Sequence, residues 1–308
     1  MSVSTLAVAI ALQQISIPLG RVQKAERFPA PLAAFGPAFA RTCEENDEWD
    51  KSAPPVRIHG NTYLVGTCGI SAILITGPGG HVLIDSGTER GAEVVAANIR
   101  RLGFSLKDVR WITHSHEHHD HVGGLARLQQ LTGAKVAAST QAAAVLRNGV
   151  ASDGDPQKGM HGPMAPVMVD RIVGHGDKLR LGPIQLTAVA TPGHTSGALS
   201  WQWVSCDGGV CRTLVFADSL TPVSRDDYRF SDHPEVIAGF REGIARVAAL
   251  ECDIILSPHP SATNMIRRLG GKAALFDPKG CSDYAAMRTK QLDERLAKEA
   301  AAPVAPRP

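Results

Sequence analysis

The sequence predicts an α/β fold in which two layers, each a β-sheet covered by helices, pack face to face. Short β-rich runs alternate along the chain with longer segments whose apolar residues have helical spacing. The succession of strands, an Asp and a helix occurs twice: Ile84-Asp85-Ser86 ends the strands of the first half and Ala217-Asp218-Ser219 those of the second. With 308 residues, the chain has room for one large domain or two small ones.

The first half begins with an antiparallel meander. Its strands are predicted at residues 63–65, 72–75 and 81–84, and the next strand is predicted at 109–113. Residues 89–102 have apolar side chains at helical spacing and stop before Gly103, so a helix covers this sheet. A second helix is predicted at 122–131, and the residues between it and the preceding strand are rich in histidine. The histidines therefore lie at a turn from a strand to a helix.

The second half follows a long loop at residues 150–166, which is rich in Gly, Pro, Asp and Met and has no periodicity. Loops of this length are often functional. Strands are predicted at residues 179–186, 199–204 and 213–216. Helices are predicted at 234–250, with Pro234 in the first turn, and at 282–301, with Ser282 as the N-cap.

Charge and hydropathy argue against polyanionic and membrane partners. The 32 Lys and Arg nearly balance the 30 Asp and Glu, which leaves a net charge of +2. No apolar run approaches the roughly 18 to 20 residues that a membrane-spanning helix needs. We therefore expect a small-molecule partner, with no nucleic acid and no membrane.

The N-terminus has a short apolar run at residues 6–12, similar to the hydrophobic core of a secretory signal at its minimum length. No Lys or Arg precedes this run, and the first basic residue is Arg21. An export signal and a loose N-terminal arm both remain open. The six cysteines favour export, because disulfides form in oxidising compartments. We expect a periplasmic or secreted protein.

Disulfides are predicted for all six cysteines, because no C-x-x-C pair suggests a structural zinc site. They are Cys43, Cys68, Cys206, Cys211, Cys252 and Cys281. Cys206 and Cys211 flank a turn-forming insert between two β-rich runs, so a hairpin would bring their sulfurs within bonding distance. The other four cysteines allow three pairings. The most local of these joins Cys43 to Cys68 and Cys252 to Cys281.

The clearest signal for function is the histidine cluster, since five of the twelve histidines lie between positions 114 and 121. In an extended segment, alternate residues His116 and His118 point to one side, while Asp120 and His121 turn away as the helix begins. Imidazoles and carboxylates are ligands that zinc prefers, and this arrangement suits two metals rather than one. His114 falls outside this set, because a frame starting there lacks a compact second site.

Four ligands cannot complete two zinc sites, so further histidines must come from elsewhere in the chain. Two candidates are His194 in Thr-Pro-Gly-His-Thr and His259 in Ser-Pro-His-Pro. Each stands on a loop marked by Pro or Gly after a β-rich run.

In the order of these motifs, with Ala-Asp-Ser-Leu at 217–220, the chain resembles the metallo-β-lactamases of subclass B3. The resemblance covers about residues 57–290, and Ser219, where related subclasses have a Cys ligand, favours B3. It implies an αββα sandwich of two mixed sheets flanked by helices. Residues 41–302 would be one metallo-β-lactamase-like catalytic domain, between a signal-like or loose segment (1–40) and a disordered tail (303–308).

The resemblance also implies the ligand set and the cofactor, two zinc ions per chain. Three histidines would hold the first zinc, and an Asp and two histidines the second: His116, His118 and His194, then Asp120, His121 and His259. Two such ions can provide a hydroxide at neutral pH, which would open a β-lactam ring. Asp120 would be catalytic by orienting this hydroxide. Penicillins, cephalosporins and carbapenems are the implied substrates, with antibiotic resistance as the consequence.

Several roles remain open. Ser219 and Thr221 are candidates for binding the substrate carboxylate, and Gln157 on the long loop for bordering the substrate. Asp85 is either a carboxylate that orients a ligand or a turn residue. Asp218 is ambiguous, because in hydrolases such as glyoxalase II an Asp in the comparable position bridges both metals.

Two alternative functions remain. One is another hydrolase of the superfamily, a glyoxalase II-like enzyme or a lactonase. The other is a periplasmic protein that binds zinc without catalysis. For the β-lactamase hypothesis we expect a monomer.

Overall fold

The structure is a computed structural model and describes residues 35–44 and 47–301. The apolar run at residues 6–12 and the predicted tail at 303–308 lie outside this part of the chain. Within it, twelve strands form two mixed β-sheets that pack face to face, with helices on both outer sides. The predicted αββα fold class is confirmed. None of the helices described here is both long and apolar enough to cross a bilayer.

The first sheet has seven strands in sequential order. They are β1 (Val56–His59), β2 (Thr62–Leu64), β3 (Ile73–Ile75), β4 (His81–Ile84), β5 (Val109–Thr113), β6 (Lys135–Ala138) and β7 (Arg171–Ile172). Strands β1 to β4 pair antiparallel, as the meander predicted, and β4 to β7 pair parallel.

The second sheet has five strands, which are β8 (Lys178–Leu181), β9 (Ile184–Ala190), β10 (Leu199–Asp207), β11 (Val210–Phe216) and β12 (Ile254–Leu256). Their order is β12-β11-β10-β9-β8, and only β12 pairs parallel with its neighbour. The prediction of one strand at 179–186 is wrong, because Gly182 has a φ of 55° and turns the chain into a hairpin. Left-handed backbone of this kind favours glycine.

Eight helices occur in the described residues. They are α1 (Phe35–Cys43), α2 (Gly91–Arg101), α3 (His119–Val122), α4 (Leu125–Thr132), α5 (Thr140–Asn148), α6 (Pro234–Ala248), α7 (Met265–Leu269) and α8 (Gly280–Ala301). The single helix predicted at 122–131 is split at Gly123 and Gly124. Ser282 is not an N-cap, because α8 begins at Gly280 and the Ser282 hydroxyl donates to the carbonyl of Lys279.

Alternating side chains of the strands fill three apolar layers. Ile73 packs between the sheets, and its neighbour Leu74 faces α2, α4 and α5. In the second sheet Phe216 and Trp201 face the central layer, whereas Val215 faces α6 and α8. Full burial of one such side chain contributes about 1.5 to 3 kcal/mol to the free energy of unfolding. Apolar packing therefore stabilises both faces of each sheet.

The predicted domain boundary at residue 41 is wrong. Helix α1 spans it, and Phe39 within this helix is fully buried in the central layer. An apolar side chain buried in this way belongs to the domain core. The described domain therefore includes residues from Phe35 onwards.

All six cysteines form disulfides. The pairs are Cys43–Cys68, Cys206–Cys211 and Cys252–Cys281, the pairs that the sequence favoured. The first ties α1 to the loop after β2, the second closes the β10–β11 hairpin, and the third joins the residues before β12 to the start of α8.

The polar motifs lie together at one edge of the sandwich. Asp85 follows β4, and the histidine cluster follows β5. In the second sheet, His194 follows β9, Asp218 follows β11 and His259 follows β12. Strand ends from both sheets therefore build a single site.

Candidate metal centre

Three histidines form the first cluster of this site. One ring nitrogen from each of His116, His118 and His194 lies within 4.8 Å of the others, and all three residues are buried. Nδ1 of His118 lies 3.2 Å from Nε2 of His194. The structure thus brings together the three residues predicted for the first zinc.

Each histidine of this cluster is held from behind through its other ring nitrogen. Asp218 Oδ1 lies 2.8 Å from Nδ1 of His116, and the carbonyl of Thr221 accepts from Nδ1 of His194 at 2.8 Å. The Asp155 carboxylate lies 3.1 and 3.2 Å from Nε2 of His118. Because these oxygens accept hydrogen bonds, the inward nitrogen of each ring keeps its lone pair when the ring is neutral.

The second cluster adjoins the first. Ligand atoms of His116, Asp120 and His121 lie within 4.8 Å of one another. Nε2 of His121 is 2.9 Å from Oδ2 of Asp120, and Nε2 of His259 is 3.4 Å from the same oxygen. Asp120, His121 and His259 therefore face one point, as predicted for the second zinc.

The histidines of this cluster are also oriented from behind. Nδ1 of His121 lies 3.3 Å from Oδ2 of Asp85, and Nδ1 of His259 donates to the carbonyl of Gly69 at 3.2 Å. Asp85 has a φ of 64°, uncommon for a non-glycine residue, and its carboxylate accepts from the backbone N–H and hydroxyl of Ser115. Asp85 is thus both a turn residue and a group that contacts a candidate ligand.

Electrostatics favour a cation at this point. Burial alone would raise the pKa of Asp120, but His121 and the other nearby imidazoles hold it well below its usual range. Burial opposes the proton on His121, yet Asp120 and Asp85 raise its pKa to about 10. Burial instead lowers the pKa of His116 and His194 well below the usual range, so both rings are neutral. His116 and His194 are therefore in the neutral state that metal ligands require, whereas His121, whose pKa is raised, would release its proton when a metal binds.

The donor set fits zinc. The buried Nε2 of His116 has no hydrogen-bond partner among the residues the structure describes. Nε2 of His121 likewise lacks one, because its short approach to Asp120 does not have hydrogen-bond geometry. Buried polar atoms of this kind need an explanation, and zinc ions bound at the two adjoining clusters account for both.

Two neighbouring histidines lie outside the clusters. Nε2 of the buried His114 accepts from the backbone N–H of Ser139, and burial lowers its pKa to about 4. His119 stacks on His161 with ring centroids 5.3 Å apart. Neither belongs to the convergent groups.

Of the three residues predicted to bind substrate, Gln157 and Thr221 border this centre. A cavity of about 240 Å³ beside His118 is lined by Gln157, His161 and Met164 among others. The Thr221 hydroxyl lies 3.3 Å from Nδ1 of His194. Ser219 is buried next to Asp218, and its hydroxyl has no hydrogen-bond partner in the described part of the chain.

Two carboxylates of this site were missed from the sequence. Asp155 is buried although it lies on the long loop, and Glu117 is buried between two candidate ligands. Their partners are 37 residues away for Asp155 and 78 and 80 residues away for Glu117. No local spacing could indicate such contacts.

Solved structures resemble the chain over most of its length. The metallo-β-lactamase MIM-2 is 54% identical with a TM-score of 0.83, and the match covers 86% of this chain and 98% of that one. MIM-1 from Novosphingobium pentaromativorans is 49% identical with a TM-score of 0.84, covering 86% and 99%. MEM-A1, a subclass B3 metallo-β-lactamase from a soil metagenome library, is 44% identical with a TM-score of 0.80, covering 82% and 99%.

Curated relatives match over shorter stretches. The hydroxyacylglutathione hydrolase of Bradyrhizobium sp. (strain BTAi1) is 31% identical over 129 residues, which are 40% of this chain and 42% of that protein. The chain thus spans about two fifths or less of the length of the hydroxyacylglutathione hydrolases that it matches. The family model of the metallo-β-lactamase superfamily matches residues 65–242, more than half of the chain. The chain belongs to the metallo-β-lactamase superfamily, and its solved relatives place it with the subclass B3 enzymes.

Proposed function

We propose that this protein is a hydrolase with two zinc ions that opens the β-lactam ring of penicillins, cephalosporins and carbapenems, and so confers antibiotic resistance. The observation that carries the proposal is the pair of adjoining His and Asp clusters at the edge of the sandwich. The likeness of this chain to metallo-β-lactamases over nearly their whole length supports the substrate class.

Different residues of the chain would hold the two ions and orient the attacking water. Bound zinc lowers the pKa of water and stabilises negative charge that develops on the substrate. His116, His118 and His194 would hold one ion, and Asp120, His121 and His259 the other. The free carboxylate oxygen of Asp120 would accept a hydrogen bond from the attacking water and orient it.

Substrate binding would use the border of the centre. Ser219 has an unpartnered hydroxyl in the described part of the chain, and we assign it with Thr221 to the substrate carboxylate. Gln157 lines the cavity beside His118 and would contact the side chain of the antibiotic. Pockets of this kind combine apolar walls with a few placed polar groups.

The three disulfides support a protein of an oxidising compartment, the periplasm or the exterior. Such a location suits an enzyme that meets antibiotics before they reach their targets. We expect it to act as a monomer.

A second candidate is a thioester hydrolase, because hydroxyacylglutathione hydrolases match part of the chain. In such enzymes the Asp comparable to Asp218 would bridge both metals. Here Asp218 contacts Nδ1 of His116, behind the ring, and it is not in either convergent group of the described residues. This geometry favours the β-lactamase proposal.

The direct test is the hydrolysis of a chromogenic cephalosporin, a carbapenem and a hydroxyacylglutathione thioester by the purified protein. We expect turnover of both β-lactams, its loss after chelation and its recovery with added zinc, because zinc supplies the nucleophile and stabilises charge. Two bound zinc ions with turnover of the thioester alone would replace the substrate class and leave the metal centre standing. Tight zinc binding with no turnover would favour a zinc-binding protein.

The contact between Asp155 and His118 leads to a second prediction. Asp155→Asn should lower the zinc affinity of the first cluster by about tenfold, because the groups that orient a metal-binding histidine typically matter by 10- to 100-fold. Chelator competition measures the affinity. Asp153→Asn is the matched control, since Asp153 lies on the same loop with its side chain 98% exposed and paired with Lys158. Equal affinities in the two variants would contradict an orienting role for Asp155.

A further inference from the structure

Glu117 is a buried carboxylate for which the proposed reaction has no use. It lies in the chain between His116 and His118, and the residue is only 3% exposed. Its Oε2 accepts from the hydroxyl of Thr195 at 2.7 Å, and its Oε1 accepts from the backbone N–H of Gly197 at 2.9 Å. Both carboxylate oxygens are therefore bound to the loop that carries His194.

The contact between Glu117 and Thr195 lies beside a contact between two candidate ligands. Glu117 directly precedes His118, and Thr195 directly follows His194. The two histidines approach each other to 3.2 Å between Nδ1 and Nε2. The Glu117–Thr195 hydrogen bond thus joins the two loops one residue away from the point where their ligands must converge.

The partner loop holds this carboxylate in one place. The carbonyl of Gly197 accepts from the Ser139 hydroxyl at 2.7 Å, and that hydroxyl also caps α5. A Cβ at position 197 would lie 2.8 Å from both oxygens of Glu117 and 2.5 Å from the nitrogen of Ala142. Since real Cβ atoms do not approach so closely, only glycine lets the loop pack against the carboxylate.

Burying this carboxylate costs free energy. Burial raises the pKa of Glu117, and the hydrogen bonds from Thr195 and Gly197 only partly oppose this. A buried ionised carboxylate is unfavourable unless hydrogen bonds compensate it. A carboxylate that accepts hydrogen bonds from two donors of one loop also fixes the distance and the angle of that loop relative to itself.

We propose that Glu117 is a positioning residue that holds His118 opposite His194 and thereby sets the zinc affinity of the first cluster. This inference rests on the zinc centre of the proposed function. The role depends on two hydrogen bonds between loops and needs neither charge nor proton transfer at Glu117.

Two substitutions separate hydrogen bonding from charge. Glu117→Ala removes both acceptors and should lower first-cluster zinc affinity by about 10- to 100-fold. Glu117→Gln keeps an oxygen for the Gly197 N–H, and its amide can donate to the Thr195 hydroxyl, which can accept as well as donate. We expect Gln to stay within about threefold of the wild type.

The measurements are stepwise zinc affinities by chelator competition and the absorption spectrum of the cobalt-substituted protein. We expect Glu117→Ala to weaken one of the two metal sites and to change the cobalt spectrum, while the site with Asp120, His121 and His259 keeps its affinity. Thermal unfolding of the metal-free variants is the control for folding. If Glu117→Ala fails to fold, Thr195→Val removes one of the two hydrogen bonds from the other loop and should weaken the same site.

The outcomes distinguish this inference from the proposed function. A Gln variant as weak as the Ala variant would overturn positioning by hydrogen bonds, because it would show that the charge matters. Unchanged zinc affinities in Glu117→Ala would also overturn the positioning role of Glu117. The proposed metal centre would still stand in that case, provided that the wild type binds two zinc ions. A wild type that binds no zinc would remove the proposed function itself.

Discussion

Replacing Asp120 with Ala is expected to lower β-lactam turnover by about 10³-fold or more while the protein remains folded. Asp120 faces Nε2 of His121 at 2.9 Å and Nε2 of His259 at 3.4 Å, so its carboxylate is the negative centre of the second cluster. Without it, two imidazoles would have to bind a dication without a charged partner. The oriented contact to the attacking water would also be lost. Metal-assisted charge stabilisation is worth several kcal/mol, and each 1.36 kcal/mol is tenfold in rate.

The measurement is kcat/KM for a carbapenem, with zinc content determined on the same sample. Asp283→Ala is the matched control, because Asp283 is an exposed Asp in the first turn of α8. A far-UV circular dichroism spectrum equal to that of the wild type would show that the secondary structure is intact. Full turnover by the folded Asp120→Ala variant would remove both the ligand role and the catalytic role of Asp120.

The part of the metal centre that was readable from the sequence is the part with local spacing. His116, His118, Asp120 and His121 lie within six residues, and the turn from β5 into α3 alone brings them together. Motif order and the family resemblance supplied the other two ligands. Strand order explains why those residues converge, since every one of these loops follows a strand at the same edge.

Two of the carboxylates that contact the ligand loops, Asp155 and Glu117, could not be predicted in this way. Asp155 approaches His118 because the long loop folds back, and Arg225 donates to the carbonyl of Asp155 and so holds it there. Glu117 depends on a glycine 80 residues away. These contacts exist only once the two sheets are packed, so no periodicity in the chain indicates them.

The fold was predictable where side chains alternate or capping signals are clear. The antiparallel meander followed from runs such as the one around Ile73, whose neighbours face alternate layers. Helix α5 was missed although Ser139 caps it and Gly149 ends it with a φ of 71°. Both are recognisable helix signals, so this error was avoidable. The boundary error at α1 was different, because the burial of Phe39 depends on packing against distant strands.

A second large effect is expected at the two carboxylates behind the clusters. Asp218 lies 2.8 Å from Nδ1 of His116, and Asp85 lies 3.3 Å from Nδ1 of His121. Both carboxylates are fully buried. An Asn at either position is a poorer acceptor, and an amide that donates to Nδ1 leaves the proton on Nε2, where the metal must bind.

We therefore expect the same Asp→Asn substitution to weaken a different zinc site at each of these two positions. Asp218→Asn should weaken zinc binding that involves His116 by about 10- to 100-fold, and Asp85→Asn should weaken the site of His121 by a similar factor. Asn tolerates the left-handed backbone at position 85, so the change there adds little strain. Native mass spectrometry during a zinc titration, with stepwise chelator competition, measures each site.

The same pair of variants decides between the two substrate classes. If Asp218 orients His116 from behind, Asp218→Asn retains the zinc ion held by Asp120, His121 and His259, and Asp85→Asn is the variant that loses it. If Asp218 instead bridges the metals, its loss must weaken both sites at once, because a bridging oxygen belongs to both coordination shells. Loss of both zinc ions from Asp218→Asn would therefore contradict the geometry around His116. It would also move the search for a substrate from β-lactams to thioesters.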